Sequence, residues 1–330
     1  MTRFALHNMD ALAMLRAMPS EGVQTCITSP PYWQLRDYGV AGQLGLEPTP
    51  EAYISALVGV FSEVRRVLKD DGTLWVNLGD GYFGAGSTTL QSNDAAPYTG
   101  KSTMMGTHPG GSAGRRPVKP REHPVLKPKD LIGLPWRLAF ALQVDGWWLR
   151  QDIIWAKPNP MPESVNDRCT RSHEYIFIFA LKPHYHWDHD ANQETGIKPA
   201  NGIHKGSKKW RLTDQGIGNH TGLVYGLVYT GTRNRRSVWT VPPSQYDNAH
   251  FATFPTELIR PMVRVACPPG GWVLDPFGGA GTTATVCAEE ARHCVSIELN
   301  TKYQDLAVKR TAQFSELLPL WIEQSARETT

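Results

Sequence analysis

From Trp272 the chain reads Trp272-Val273-Leu274-Asp275-Pro276-Phe277-Gly278-Gly279-Ala280-Gly281-Thr282-Thr283. An apolar run meets a carboxylate, then a glycine-rich turn, then a helix start whose Thr282 and Thr283 can cap the first amides. Glycines let backbone come close to a ligand, and free amides at a helix start favour negative groups. A helical segment follows to Glu290, and the short strand His293-Cys294-Val295-Ser296-Ile297 ends on Glu298. Strand, glycine turn, helix, strand and acid form a unit of α/β sheets that bind nucleosides, and Glu298 stands where an acid takes the two ribose hydroxyls.

A dinucleotide loop shares this order. Asp275 argues against it, because a carboxylate at the strand tip repels a pyrophosphate. The same carboxylate suits a cofactor with a positively charged amino acid end, such as S-adenosylmethionine.

A second constellation lies near the other end of the chain. The apolar stretch Val23-Gln24-Thr25-Cys26-Ile27 runs into Thr28-Ser29-Pro30-Pro31-Tyr32-Trp33. Two prolines hold the backbone extended and carry no amide hydrogen, which leaves the Pro30 carbonyl free for a ligand. With the Ser29 hydroxyl beside it, two acceptors converge on one exocyclic amino group and align its lone pair for attack on a methyl carbon. Tyr32 is placed to stack on the base that carries the amine. Read alone, the hexapeptide is equally a stiff turn with an aromatic plug, and Trp33 reads as stacking wall or as packing.

Together, Asp275-Pro276-Phe277-Gly278-Gly279-Ala280-Gly281 and Thr28-Ser29-Pro30-Pro31-Tyr32 resemble the cofactor and catalytic motifs of DNA amino-methyltransferases. The catalytic motif comes first and the cofactor motif last, which resembles the circularly permuted beta group. Gln151 to Pro162 and Ser172-His173-Glu174-Tyr175 are similar to the strand, loop and strand of that group. Phe251-Ala252-Thr253-Phe254-Pro255 is similar to the segment that packs on the cofactor's methionine part, which assigns Thr253 and Phe254 to cofactor binding. Asp10, in Asn8-Met9-Asp10, stands where the group shows an acid for the cofactor's adenine amine. The resemblance implies a Rossmann-like α/β fold, a mostly parallel sheet with helices on both faces. It also implies S-adenosylmethionine held by Asp10, Thr253, Phe254, Asp275, Phe277, Gly279, Gly281, Thr282 and Glu298. Ser29, Pro30, Pro31 and Tyr32 become the catalytic residues. A homodimer is expected by resemblance only.

Periodicity gives the rest of the frame. Ile54, Leu57, Val58, Phe61, Val64 and Leu68 repeat at helical spacing, Asp70-Asp71-Gly72 predicts a turn, and Thr73 to Leu78 a strand. Leu131, Leu134, Leu138 and Leu142 mark another helix, followed by strands over Trp148 to Trp155 and Tyr175 to Ala180. Residues 1–83, 130–181 and 237–330 then form one catalytic domain. Residues 84–129 are a flexible basic insertion and 182–236 a DNA target-recognition region. From Gly196 to Arg236, within the second insertion, Lys198, Lys205, Lys208, Lys209, Arg211, Arg233, Arg235 and Arg236 stand against Asp214. Of these, Lys205, Lys208, Lys209, Arg211, Arg233, Arg235 and Arg236 are the candidates for neutralising phosphates of double-stranded DNA. A solvated loop with spare charge is the alternative.

The net charge of +3 proves no nucleic-acid partner by itself. Nothing in the sequence has the length of a membrane span or the layout of a signal peptide, so the expected location is the cytoplasm. The cysteines at 26, 169, 267, 287 and 294 show no metal-ligand spacing, and neither zinc nor a disulfide is expected. No Pro-Cys dipeptide offers the thiolate that carbon methylation of cytosine uses. The expected reaction is methyl transfer to the exocyclic amine of a flipped DNA base. Ser29 at the head of the motif is commoner in cytosine-N4 enzymes, whereas Asn159-Pro160-Met161-Pro162 and His173-Glu174 resemble adenine enzymes. The reading leans to N6 of adenine, with N4 of cytosine as the alternative and a DNA-binding regulator without transfer as a distant one.

Overall fold

The computed structural model describes residues 2–84, 91–92, 122–196, 232–243 and 254–314. In chain order the elements are β1 Phe4–Asn8, α1 Ala11–Ala17, β2 Val23–Thr28, β3 Arg36–Asp37, α2 Pro50–Val67, β4 Leu68–Leu78 and β5 Gln91–Ser92. There follow α3 Leu134–Val144, β6 Trp148–Ala156, β7 His173–Ala180, β8 Gln193–Thr195, β9 Thr232–Asn234 and β10 Val238–Thr240. The last are α4 Thr256–Ala266, β11 Trp272–Asp275, α5 Thr282–Glu289, β12 His293–Glu298 and α6 Thr301–Thr311.

One sheet has the order β1-β12-β11-β2-β4-β7-β6-β10. Its pairs are parallel except β4 with β7 and β6 with β7. Thus β11, from the end of the chain, lies beside β2, from its start. Every residue of β2 is buried, as expected for a central strand covered on both faces. Along β4, Leu74 and Val76 face a core layer with Tyr53, Leu57, Phe61, Leu138 and Leu142, from α2 and α3. Trp75, between them, faces the other layer with Leu258, Met262 and Val286, from α4 and α5. Helix α2 starts where Thr49 accepts the Ala52 amide, with Pro50 in the first turn.

The predicted turn at Asp70 to Gly72 lies instead inside β4, whose register against β2 shifts between Val23 and Thr25. Gly72 makes this bend possible: a Cβ there would stand 2.8 Å from the Lys69 carbonyl oxygen and 2.9 Å from that of Gln24. The predicted helix from Leu131 begins at Leu134, because Asp80, just past β4, accepts the Gly133 and Leu134 amides and sets the first turn there.

Short backbone pairings join segments at or near the ends of both expected insertions. Phe83 and Lys129 are joined by Lys129 N to Phe83 O (2.7 Å), with Phe83 N to Asp130 O (2.8 Å) beside it. Strand β8 pairs antiparallel with β9 at the foot of the second. Among the described residues no helix is long and apolar enough to cross a membrane.

Candidate active site

A cavity of about 530 Å³ opens at the carboxyl edge of the parallel strands, where α/β sheets hold ligands. Its wall is built from strand ends far apart in sequence: Asp10 after β1, Ser29 to Tyr32 after β2, Asn77 in β4, Phe277 and Gly279 after β11, and Glu298 on β12. The antiparallel β7 contributes Glu174 from its beginning, and the loop after β6 contributes Lys157. The sheet order thus brings the two sequence motifs into one chamber.

At one end a polar network surrounds the proline motif. Ser29 Oγ lies 3.4 Å from Asn77 Oδ1, and the Tyr32 hydroxyl donates to Glu174 Oε2 at 2.5 Å. Asn77 Nδ2 donates to the same Glu174 oxygen at 3.1 Å, and Lys157 Nζ donates to the other. Lys157 also lies 4.2 Å from the centre of the Trp155 ring. Burial, and then the Glu174 charge, push the Tyr32 phenol well above its usual range, so it stays protonated and donating. The buried Tyr53 of α2 donates to the Pro31 carbonyl at 2.7 Å, while the Pro30 carbonyl accepts no hydrogen bond among the described residues.

Gly79 sets the tilt of the Tyr32 ring, since a Cβ there would stand 2.6 Å from Tyr32 Cε2. Gly79→Ala is expected to displace the ring and slow turnover about tenfold, as for loss of one aromatic stacking partner. S-adenosylmethionine affinity, read by calorimetry, stays unchanged; equal weakening of both would place Gly79 in the scaffold instead.

At the other end Glu298 Oε2 accepts the Gly279 amide (2.9 Å) and Oε1 the Asn300 amide (2.7 Å). Each oxygen keeps a lone pair for a ligand hydroxyl. Burial raises the Glu298 pKa. Asp10 caps α1 through Oδ1, on the Ala13 amide at 2.8 Å, and lines the cavity. Phe254, Phe277, Tyr38 and Tyr303 add aromatic walls, with the last two in edge contact at 6.0 Å.

Several expected contacts lie elsewhere. Asp275 is 1% exposed and does not line the cavity. Its oxygens accept Thr28 Oγ1 at 2.7 Å, Thr283 Oγ1 at 2.6 Å and the Phe277 amide at 3.1 Å. So enclosed, the carboxylate ties β2 to α5. Gly281, not a threonine side chain, is the N-cap of α5, at φ 77°. Neither Gly281 nor Thr282 lines the cavity; Thr282 accepts from Arg310 at 3.3 Å. A Cβ on Gly281 would stand 2.8 Å from Ala307 Cβ, so that glycine serves the packing of α5 on α6. Arg233 and Arg236 share Glu194, and the Arg235 guanidinium lies 5.5 Å from the Trp239 ring. Thr253, Lys205, Lys208, Lys209 and Arg211 lie outside the described residues.

Asn77, Lys157, Gly79 and Tyr53 were not singled out from sequence. Asn77 had a signal, as a polar residue near the end of an otherwise apolar strand, but its partners come from strands that only the sheet order brings close. Among the described residues the cysteines are free, four buried and Cys169 exposed, and no cluster of metal-ligating side chains occurs.

Comparison with known proteins agrees with this architecture. A family model described as DNA methylase, for the N6 and N4 enzymes, matches residues 23–309. The chain is 47% identical over 301 residues to the Type II methyltransferase M.Cfr9I of Citrobacter freundii, covering 91% of this chain and 85% of that protein. It is 45% identical over 301 residues to M.SmaI of Serratia marcescens, covering 91% and 88%. Among solved structures, the PvuII DNA methyltransferase (cytosine-N4-specific) superposes with a TM-score of 0.61 at 17% identity, covering 99% of this chain and 91% of that one. A putative DNA modification methylase from Thermus thermophilus, complexed with S-adenosyl-L-methionine, gives 0.57 at 22% identity and covers 96% of each chain.

Proposed function

The chain belongs to the N6/N4 DNA methylase family, and on that premise we propose that it methylates the N4 amine of a flipped cytosine. It is a DNA methyltransferase that uses S-adenosylmethionine. The observation that carries the site assignment is the single chamber shared by Ser29 to Tyr32 and by Gly279 and Glu298.

The residues present fit the cofactor. Glu298 offers two carboxylate lone pairs beside the Gly279 backbone, Asp10 an unused oxygen, and Phe254 and Phe277 apolar walls. S-adenosylmethionine supplies a methyl group made reactive by its sulfonium. At the other end Ser29 Oγ and the Pro30 carbonyl each accept one amine hydrogen, which turns the nitrogen lone pair toward the cofactor end. Tyr32, fixed through Glu174, stacks on the base. Positive charge that develops on the amine meets the two acceptors. The proton then leaves to water. The insertions at 84–129 and 182–236 grip the duplex, and unstacking the base costs a few kcal/mol.

The choice of base turns on Ser29. Glu174 supports the adenine lean only by resemblance, and its carboxylate is engaged by Tyr32, Asn77 and Lys157, a duty that either base requires. Asn159 to Pro162 do not line the cavity, and Met161 is 87% exposed. Ser29, which lines the cavity and by resemblance favours cytosine, carries the choice. N6 of adenine is the second reading, supported by the resemblance of the Asn159 to Pro162 segment.

Mass spectrometry of nucleosides from treated DNA is the test. 4-Methylcytosine is the expected product; N6-methyladenine as sole product overturns the cytosine reading and establishes the second. Ser29→Ala is expected to lower labelled-methyl transfer about a hundredfold, the scale for removing one hydrogen-bond partner that acts in the transition state. Wild-type transfer by this variant would remove Ser29 from the site, and no transfer by the wild type would point to the regulator.

A further inference from the structure

We infer that Arg168 and Arg171, on the loop between β6 and β7, grip the phosphates that flank the flipped nucleotide. The loop starts at Lys157, on the cavity wall, and is closed by Lys157 N to Ser172 O at 2.7 Å. Its arginines converge on Tyr82: the Arg168 guanidinium carbon lies 3.9 Å from the ring centre and that of Arg171 lies 5.2 Å from it. Arg171 Nη1 also donates to the Asp80 carbonyl. Asp80 follows Gly79, against which Tyr32 rests. Neither arginine lines the cavity; both stand beside it, on the loop that starts at its wall and against the segment after β4 on which Tyr32 rests.

Of the cations on this side of the cavity, Arg171 alone lacks a carboxylate among the described residues. Lys157 is matched by Glu174, Lys129 by Asp167, and one nitrogen of Arg168 by Glu163. The nearby Asp80 carboxylate is turned to the Gly81, Gly133 and Leu134 amides. A half-buried guanidinium that lies beside an aromatic ring and has donors to spare is matched by an anion with several oxygens. A flipped nucleotide brings such anions, because its phosphates must cross the mouth of the pocket its base enters. The assignment rests on Ser29 to Tyr32 receiving that base.

The test is equilibrium binding to duplex DNA across a salt series, without cofactor, for wild type, Arg168→Gln, Arg171→Gln and Arg171→Lys. Each glutamine variant is expected to lower the slope of log K against log salt by about 0.9 and to weaken binding about tenfold, while lysine restores the slope. S-adenosylmethionine affinity and turnover at saturating DNA stay within about twofold, because a phosphate grip stabilises the ground and transition states alike. Slopes parallel to wild type, or a loss that appears equally in cofactor affinity, overturn the inference and leave the arginines as supports for Asp80. A second arm needs no variant. A neutral methylphosphonate beside the methylated base should weaken wild-type binding about tenfold, and an unchanged affinity overturns the inference. Because the salt slope is read without transfer, an inactive Ser29→Ala protein with wild-type slope separates failure of the base pocket from failure of the arginine grip.

Discussion

Asp275→Ala is expected to remove about 4 kcal/mol of stability, the sum of two charge-assisted hydrogen bonds, and to lower methyl transfer about a thousandfold through misalignment of the two half-sites. Thr28 immediately precedes Ser29, and Thr283 opens the helix after the glycine turn. Their hydroxyls meet on one carboxylate, although Thr28 and Asp275 are 247 positions apart in the chain. Truncation leaves two hydroxyls and the Phe277 amide facing a void. Asp275→Asn should retain most of both properties. An amide fills the same space, the threonine hydroxyls can rotate to accept as well as donate, and burial already raises the Asp275 pKa, which shows the charged form to be disfavoured there. Urea denaturation and labelled-methyl kinetics read the two effects. A stable alanine variant with unchanged kcat and a raised KM for S-adenosylmethionine alone would refute the clamp and restore direct contact between Asp275 and the cofactor.

That residue marks how far the sequence could be read. Motif chemistry was legible because it is local: Ser29 to Tyr32, Phe277, Gly279 and Glu298 all reach the cavity, each at or just past the end of an apolar run that reads as a strand. Asp275 illustrates the limit. Its position at a strand tip suggests a ligand contact, and nothing local reveals that Thr28 donates to it from the adjacent strand. The same limit hid Lys157 and Asn77, whose roles depend on β7 running antiparallel between β4 and β6 and so presenting Glu174 at the edge where those strands end. Nor does charge counting show where each cation finds a partner: Arg233 and Arg236 share one carboxylate, whereas Arg171, in a loop without a marked basic excess, has none among the described residues.

Acidification is expected to destabilise the protein by about 3 kcal/mol between pH 6.5 and pH 4 through one residue, His7. It lies in the edge strand β1, is 1% exposed, and neither ring nitrogen has a hydrogen-bond partner. It shares a strand face with Ala5, which packs in the layer of Met14 and Leu15. Burial lowers its pKa from 6.5 to about 4. Above pH 6.5 the ring is neutral in folded and unfolded chains alike, so it adds no pH dependence. Below that value the unfolded chain takes up a proton that the folded one refuses until about pH 4, and stability falls across the window. Glu51 and Glu290, whose pKa values are lowered in the fold, bring a further loss at the acid end. His7→Leu separates the contributions, because it keeps the carboxylates and removes the imidazole. Wild type minus variant stability, from denaturant melts at several pH values, should therefore be flat above pH 6.5 and decline by about 3 kcal/mol toward pH 4. Parallel profiles for the two proteins would mean that His7 gains a proton or a partner in the folded state.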